Sequence, residues 1–142
     1  MRWMGIDLGE RRIGLALSDP LQITAQAYKV LQDQGSLNKN LASLKEEIER
    51  NEVTGVVMGL PRNMDGSEGP MAEKVRGFGQ RLEKFTSVKV NYWDERLSTV
   101  AAQRVLLEAD LSRRKRRAKI DQVAAAIILQ NFLDSQPGIK SE

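Results

Sequence analysis

Hydrophobic and polar positions change period several times along this chain, and each change marks an element. Residues 2–8 and 13–18 are short apolar runs on either side of a turn at 9–12, and read as a β-hairpin. Residues 23–30 read as a third strand of the same meander. Leu37, Leu41, Leu44 and Ile48 then recur at helical spacing behind Ser36, a suitable N-cap. Residues 53–60 form a continuous apolar run, as expected of a strand covered on both faces, and Pro61 ends it. After a polar loop, Pro70 suits a first helical turn, and Met71, Val75, Phe78, Leu82 and Phe85 make one apolar stripe. Residues 88–93 read as a fifth strand. Ser98 or Thr99 can cap a helix running to about residue 110, a last helix covers about 120–133, and a polar tail at 135–142 is expected to fray.

This order predicts an α/β fold with a five-stranded mixed sheet: an antiparallel meander, then helix, strand, helix, strand and two helices, all in one domain over residues 1–134. In such sheets ligands gather beyond the carboxyl ends of the parallel strands. Asp7 stands there, inside an apolar run where a carboxylate without a partner would cost several kcal/mol. Asp94 and Glu95 end the fifth strand. Alternation puts Asp94 on the side of Val90 and Tyr92 and Glu95 on the side of Asn91 and Trp93, and does not choose between them. Gly14, Ala16 and Ser18 leave one face of the second strand almost bare, so a close-packing partner is expected there; Ala124, Ala125 and Ala126 of the last helix suit it. On that helix Asp121 shares a stripe with Ala125, Ile128 and Phe132, near the expected helix start, where a dipole role is the ordinary alternative.

Composition narrows the chemistry. The chain has neither cysteine nor histidine, which excludes disulfides, thiolate nucleophiles, Ser-His-Asp catalysis and imidazole acid/base work. Carboxylates, lysines and hydroxyls remain, and any metal must be a hard, oxygen-bound ion. No signal-like or membrane-spanning stretch is present, so a soluble, cytoplasmic protein without a membrane partner is expected. Charge is unevenly spread. Residues 110–120 hold six basic residues against Asp110, a charge of +5, so the rest of a +3 chain is at −2. Such a concentrated segment suits local contact with a polyanion.

The stretches "GIDLGERRIGLALSD", "GLPRNMDGSEGP", "WDERLSTVAA" and "IDQVAAAIILQ" together resemble the YqgF or RuvX family, the pre-16S rRNA nucleases and Holliday junction resolvase-like proteins. The resemblance covers nearly the whole chain. It implies a ribonuclease H-like fold, nuclease activity in maturing the 5′ end of pre-16S rRNA, and catalytic, metal-binding acids at Asp7, Glu95 and Asp121. That chemistry agrees with the residue inventory: phosphodiester hydrolysis without histidine or cysteine is well served by two magnesium or manganese ions (Mg2+ or Mn2+) about 4 Å apart. Asp7 is expected to bridge them, with Glu95 and Asp121 completing one site each. The fourth strand ends in Gly59, Leu60 and Pro61, without the acid that many relatives in the wider superfamily carry, and Glu95 is about two strand spacings, roughly 10 Å, from the first strand.

Candidate substrate contacts surround these acids. Arg11 and Arg12 lie in the first turn; Asn63, Asp65 and Ser67 in the polar loop can orient a phosphate or serve ordinary turn chemistry; Arg96 and Ser98 follow the fifth strand. Arg113, Arg114, Lys115, Arg116 and Arg117 precede Asp121 and can hold a substrate backbone, although such a run is otherwise simply a solvated face. Trp3 and Trp93 are expected in the core rather than stacked on bases. Nucleic acid, either pre-rRNA or branched DNA, is the expected partner of a monomer or homodimer. Resolution of Holliday junctions is the alternative within the same chemistry, and a non-catalytic nucleic-acid or transcription-complex binding protein the alternative of another class. "GIDLG" also resembles the phosphate-binding hairpin of actin-like and Hsp70-like ATPases, but those bind nucleotide between two duplicated domains and this chain has room for one.

Overall fold

The computed structural model describes residues 1–97 and 113–136; the side chains of residues 113–119 lie outside the description, as do residues 98–112 and 137–142. Strands β1 (Arg2–Leu8), β2 (Arg12–Ser18) and β3 (Ala25–Gln32) form the meander. They are followed by α1 (Leu37–Arg50), β4 (Val53–Leu60), α2 (Pro70–Thr86), β5 (Lys89–Asp94), a 3-10 turn at Glu95–Leu97 and α3 (Arg113–Ser135). The sheet order is β3-β2-β1-β4-β5, with β1 at the centre. Its pairings with β2, and of β2 with β3, are antiparallel; β1 with β4 and β4 with β5 are parallel. The predicted mixed sheet is therefore the one observed. Among the described residues no helix is long and apolar enough to cross a membrane.

Period-two alternation sorts the sheet into two faces. Met4, Ile6 and Leu8 of β1, Ile13 and Leu15 of β2 and Val56, Met58 and Leu60 of β4 pack under α1 and α2 in the larger core. The opposite face carries glycines, Ala16 and Val57 and is covered by α3 through Ala124, Ala125, Ile128, Leu129 and Phe132. Small residues let the helix come close: a Cβ added to Gly5 would stand 2.6 Å from the carbonyl oxygen of Ala125. Trp3 and Trp93 flank Phe132, with ring centroids at 5.0 and 6.5 Å, and so belong to this core.

Several boundaries differ from the sequence expectation. The third strand starts at Ala25 rather than 23, because Asp19 accepts hydrogen bonds from the amides of Ile23 and Thr24 and holds them in a turn. Phe85, at the end of the α2 stripe, is 41 % exposed with Lys45 over its ring. The last helix begins at Arg113, not near 120, since the Arg- and Lys-rich stretch contains good helix formers and no Gly or Pro. Asp121 consequently lies about two turns inside α3, where the terminal dipole no longer acts on it. The same helix takes in Ser135, which the sequence assigned to the tail; the helix expected at 98–110 lies outside the described residues.

One buried acid was not singled out from the sequence. Glu47 on α1 is 6 % exposed and accepts hydrogen bonds from Tyr28 Oη at 2.7 Å and Lys29 Nζ at 2.8 Å, both on β3. Burial pushes its pKa up, but the hydrogen bonds from Lys29 and Tyr28 outweigh this and leave it below the usual value. A lowered folded pKa means stability that is present above the unfolded value of 4.5 and lost as pH falls through the folded one. Glu47→Gln is therefore expected to cost about 1–2 kcal/mol at neutral pH. In urea unfolding followed against pH, the gap between wild type and variant should close as the pH is taken down from 4.5; a gap independent of pH would show that packing, not charge, carries the contribution.

Candidate active site

The two carboxylates that meet in one cleft come from the ends of β1 and β5, and the bare backbone of β4 lies between them. Asp7 is the penultimate residue of β1, 5 % exposed, and alternation turns it to the α3 face with Gly5. Glu95 follows β5 directly. A Cβ added to Gly59 of β4 would stand 2.7 Å from Glu95 Oε1 and 2.5 Å from Ile128 Cδ1. The Glu95 carboxylate thus lies over Gly59, in space that any side chain there would fill, and so reaches across the intervening strand toward Asp7. Asp7 and Glu95 together line a cleft of about 280 Å3 with Gly9, Glu10, Gly59 and Pro61. The absence of an acid at this strand end is thus accompanied by space for one from the next strand.

Asp121 approaches from the other side of Asp7. Gly14 is the β2 residue paired with Asp7, and a Cβ on Gly14 would run into the backbone carbonyl of Asp121. Asp121 is therefore held against the strand next to Asp7 by backbone-to-backbone packing, but it does not line the cleft shared by Asp7 and Glu95. Among the described residues no three acidic side chains form a ready-made metal cluster. The donors brought together are all hard oxygens, the type that suits Mg2+ or Mn2+.

Asp94 and Glu95, indistinguishable from strand alternation alone, are separated by what surrounds them. Asp94 receives Arg96 Nη2 at 2.7 Å, Arg96 Nε at 3.1 Å and the Arg96 amide at 2.9 Å. The Arg96 hydrogen bonds hold its pKa below the usual carboxylate range. Arg96 also donates to the carbonyl of Met64, so this pair braces the 61–69 loop. Arg62 joins it, 3.9 Å from Asp94 and 3.3 Å from Glu68, while Arg76 grips Glu68 through two 2.7 Å bonds. Arg62 and Glu68 enter this network from the loop and Arg76 from α2, contacts that no local spacing marks.

Within the loop, the three polar side chains engage each other. Asn63 Nδ2 donates to Ser67 Oγ at 2.9 Å, and Ser67 donates through its amide and hydroxyl to Asp65 Oδ1 at 2.9 and 2.6 Å. Those hydrogen bonds from Ser67 lower the pKa of Asp65, and Gly66 takes the positive φ, +90°, that closes the turn. The arrangement is Asx-type turn chemistry. Arg11 is exposed and Arg12 half-buried at the β1–β2 turn, where the Arg12 carbonyl accepts from the Gly9 amide at 2.9 Å. Ser98 and the side chains of Arg113, Arg114, Lys115, Arg116 and Arg117 lie outside the described residues.

Residues 1–135 match the family model described as "RuvX: Holliday junction resolvase". A "Putative pre-16S rRNA nuclease" of Moorella thermoacetica is 56 % identical over 134 residues, covering 94 % of this chain and 95 % of its own. A relative of the same name from Myxococcus xanthus is 56 % identical over 135 residues, covering 95 % and 89 %. Among solved structures, "T. thermophilus RuvC in complex with Holliday junction substrate" superposes with a TM-score of 0.57 at 15 % identity over 95 % of this chain and 97 % of that one, a likeness of fold. The five-stranded mixed sheet is accordingly the ribonuclease H-like fold of such resolvases. Matched along residues 1–135 by the family model and over nearly its full length by relatives more than half identical, the chain belongs to the RuvX family.

Proposed function

We propose that this protein is a nuclease that hydrolyses phosphodiester bonds in structured nucleic acid, and that its substrate is the 5′ end of pre-16S rRNA. The observation that carries the reading is the meeting of Asp7 and Glu95 across the side-chain-free Gly59 at the carboxyl edge of the parallel strands. The name shared by the Moorella and Myxococcus relatives favours the RNA substrate. Asp7, Glu95 and Asp121 are the residues that would hold Mg2+ or Mn2+. When bound, such ions lower the pKa of coordinated water and offset the charge on the leaving oxygen. The buried β1 position fixes Asp7, Gly59 gives Glu95 its path, and the contact of Gly14 with the Asp121 backbone fixes the third acid. With such a substrate the protein would act in the cytoplasm.

The test is cleavage of end-labelled pre-16S leader RNA beside a four-way DNA junction, with Mg2+, Mn2+ or EDTA. Metal-dependent cutting of the RNA at the higher rate is expected. Faster cutting of the junction would support the second reading, resolution, which the family description favours and which calls for a homodimer offering two sites to a two-fold junction. Tight binding with no cutting would overturn the nuclease reading. Arg114→Ala with Arg116→Ala is expected to weaken nucleic-acid binding about tenfold and to lower the slope of log K against log salt by about 0.7–0.9 per lost phosphate contact. An unchanged slope would return that segment to a solvated face.

A further inference from the structure

The Asp7–Glu95 cleft adjoins a second groove across the β1–β2 turn. Leu8 and Gly9 line both, one on each side. The second groove also measures about 280 Å3 and runs between the turn, the start of α1 and the second turn of α2. Its apolar floor includes Leu8, Ile13, Leu37 and Phe78, and its cations are Arg12 and Lys74. Among the described residues Asp33 is its one lining acid; it accepts from Asn40 Nδ2 and the Gly35 amide at 2.9 Å each, and these bonds, together with the weaker influence of the nearby Lys74 charge, hold its pKa below the usual range. Neither Arg12 nor Lys74 forms an ion pair among the described residues.

Charge argues for using the two grooves together. Among the described residues, Asp7, Glu10 and Glu95 line the first cleft and no basic residue does, so these walls by themselves repel a phosphodiester. The adjoining groove supplies attraction for the flanking backbone, pairing two cations with an apolar floor on which a base or ribose can rest. We propose that this groove is a second substrate subsite, seating a nucleotide of the strand that flanks the one at Asp7 and Glu95, with Arg12 and Lys74 holding its phosphate. The proposal rests on the nuclease reading for which nucleotide is flanked, while the groove's binding of the strand is measurable without cleavage.

Lys74 is exposed on α2, so Lys74→Gln leaves the core untouched and thermal unfolding should match wild type. Affinity for fluorescent pre-16S leader RNA, measured in EDTA over a range of salt, is expected to fall about three- to tenfold, with a salt slope smaller by about 0.7. Cleavage by the same variant in Mg2+ should show KM raised by a similar factor and kcat within about twofold of wild type, because the contact positions substrate without touching the reacting atoms. Shortening the RNA on the side that crosses the turn should erase the difference between variant and wild type. Equal affinity and equal slope for the two proteins would overturn the subsite, even if both cleave. A wild type that never cleaves, beside a Lys74→Gln variant that binds more weakly, would instead remove the nuclease reading and leave the groove as a nucleic-acid contact.

Discussion

Asp7→Asn should abolish cleavage while leaving the fold in place. Asn matches Asp in size, so the 5 % exposed position at the end of β1 keeps its packing, and only the charge is lost. If Asp7 is the shared metal ligand, loss of about 4 kcal/mol of transition-state stabilisation translates into a rate about a thousandfold lower. RNA affinity in EDTA should stay close to wild type or rise slightly, since a carboxylate that repels phosphate has gone. Single-turnover cleavage of the leader RNA is the decisive measurement. An Asp7→Asn protein that cuts at wild-type rate would remove the metal site from the end of β1, and with it the proposed role of Glu95.

Gly14→Ala should do large damage with one methyl group. A Cβ at Gly14 meets the backbone carbonyl of Asp121, which cannot rotate away as a side chain would, so α3 as a whole must move off the sheet. Overpacking of this kind costs about 3 kcal/mol. Because the displaced segment carries Asp121, activity at a temperature where the variant is still folded should fall further than the folded fraction does. Gly77→Ala is the matched control: Gly77 sits exposed in α2 with nothing within 4 Å of an added Cβ, and the change should stabilise by up to about 1 kcal/mol with unaltered cleavage. Denaturant unfolding and cleavage rates of the two variants side by side read both effects. Equal stability of the two would mean that α3 does not pack on β2 through that glycine.

What was legible in the chain was whatever period and bulk could encode. The small face of β2 announced a helix at close range, and the Ala124–Ala126 run answered it, because both signals are local patterns of side-chain size. Asp7 was legible as a carboxylate where the pattern demanded an apolar residue. Alternation alone did not separate Glu95 from Asp94, since it assigns sides without saying what occupies each, and Glu95 was singled out only by the family resemblance; the space over Gly59 that its carboxylate fills belongs to a different strand, where no local pattern marks it. The start of α3 was misplaced because a run of like charges has no hydrophobic period to mark it. Glu47 sat among charged neighbours typical of a solvated helix face, and its partners Tyr28 and Lys29 arrive from β3 through tertiary pairing.

The central place of β1 has a consequence for how the molecule breathes. Paired on both sides, by β2 and by β4, this strand should hold the slowest-exchanging amides, opening only with global unfolding. The edge strands β3 and β5 and the 61–69 loop, each with fewer neighbours, open earlier and more cheaply. Asp7 therefore rides on the last part of the molecule to yield, whereas the rim proposed to meet a substrate belongs to the part that yields first. Fluctuations that let bulky, irregular nucleic acid in and out can occur without disturbing the residue on which the proposed chemistry turns.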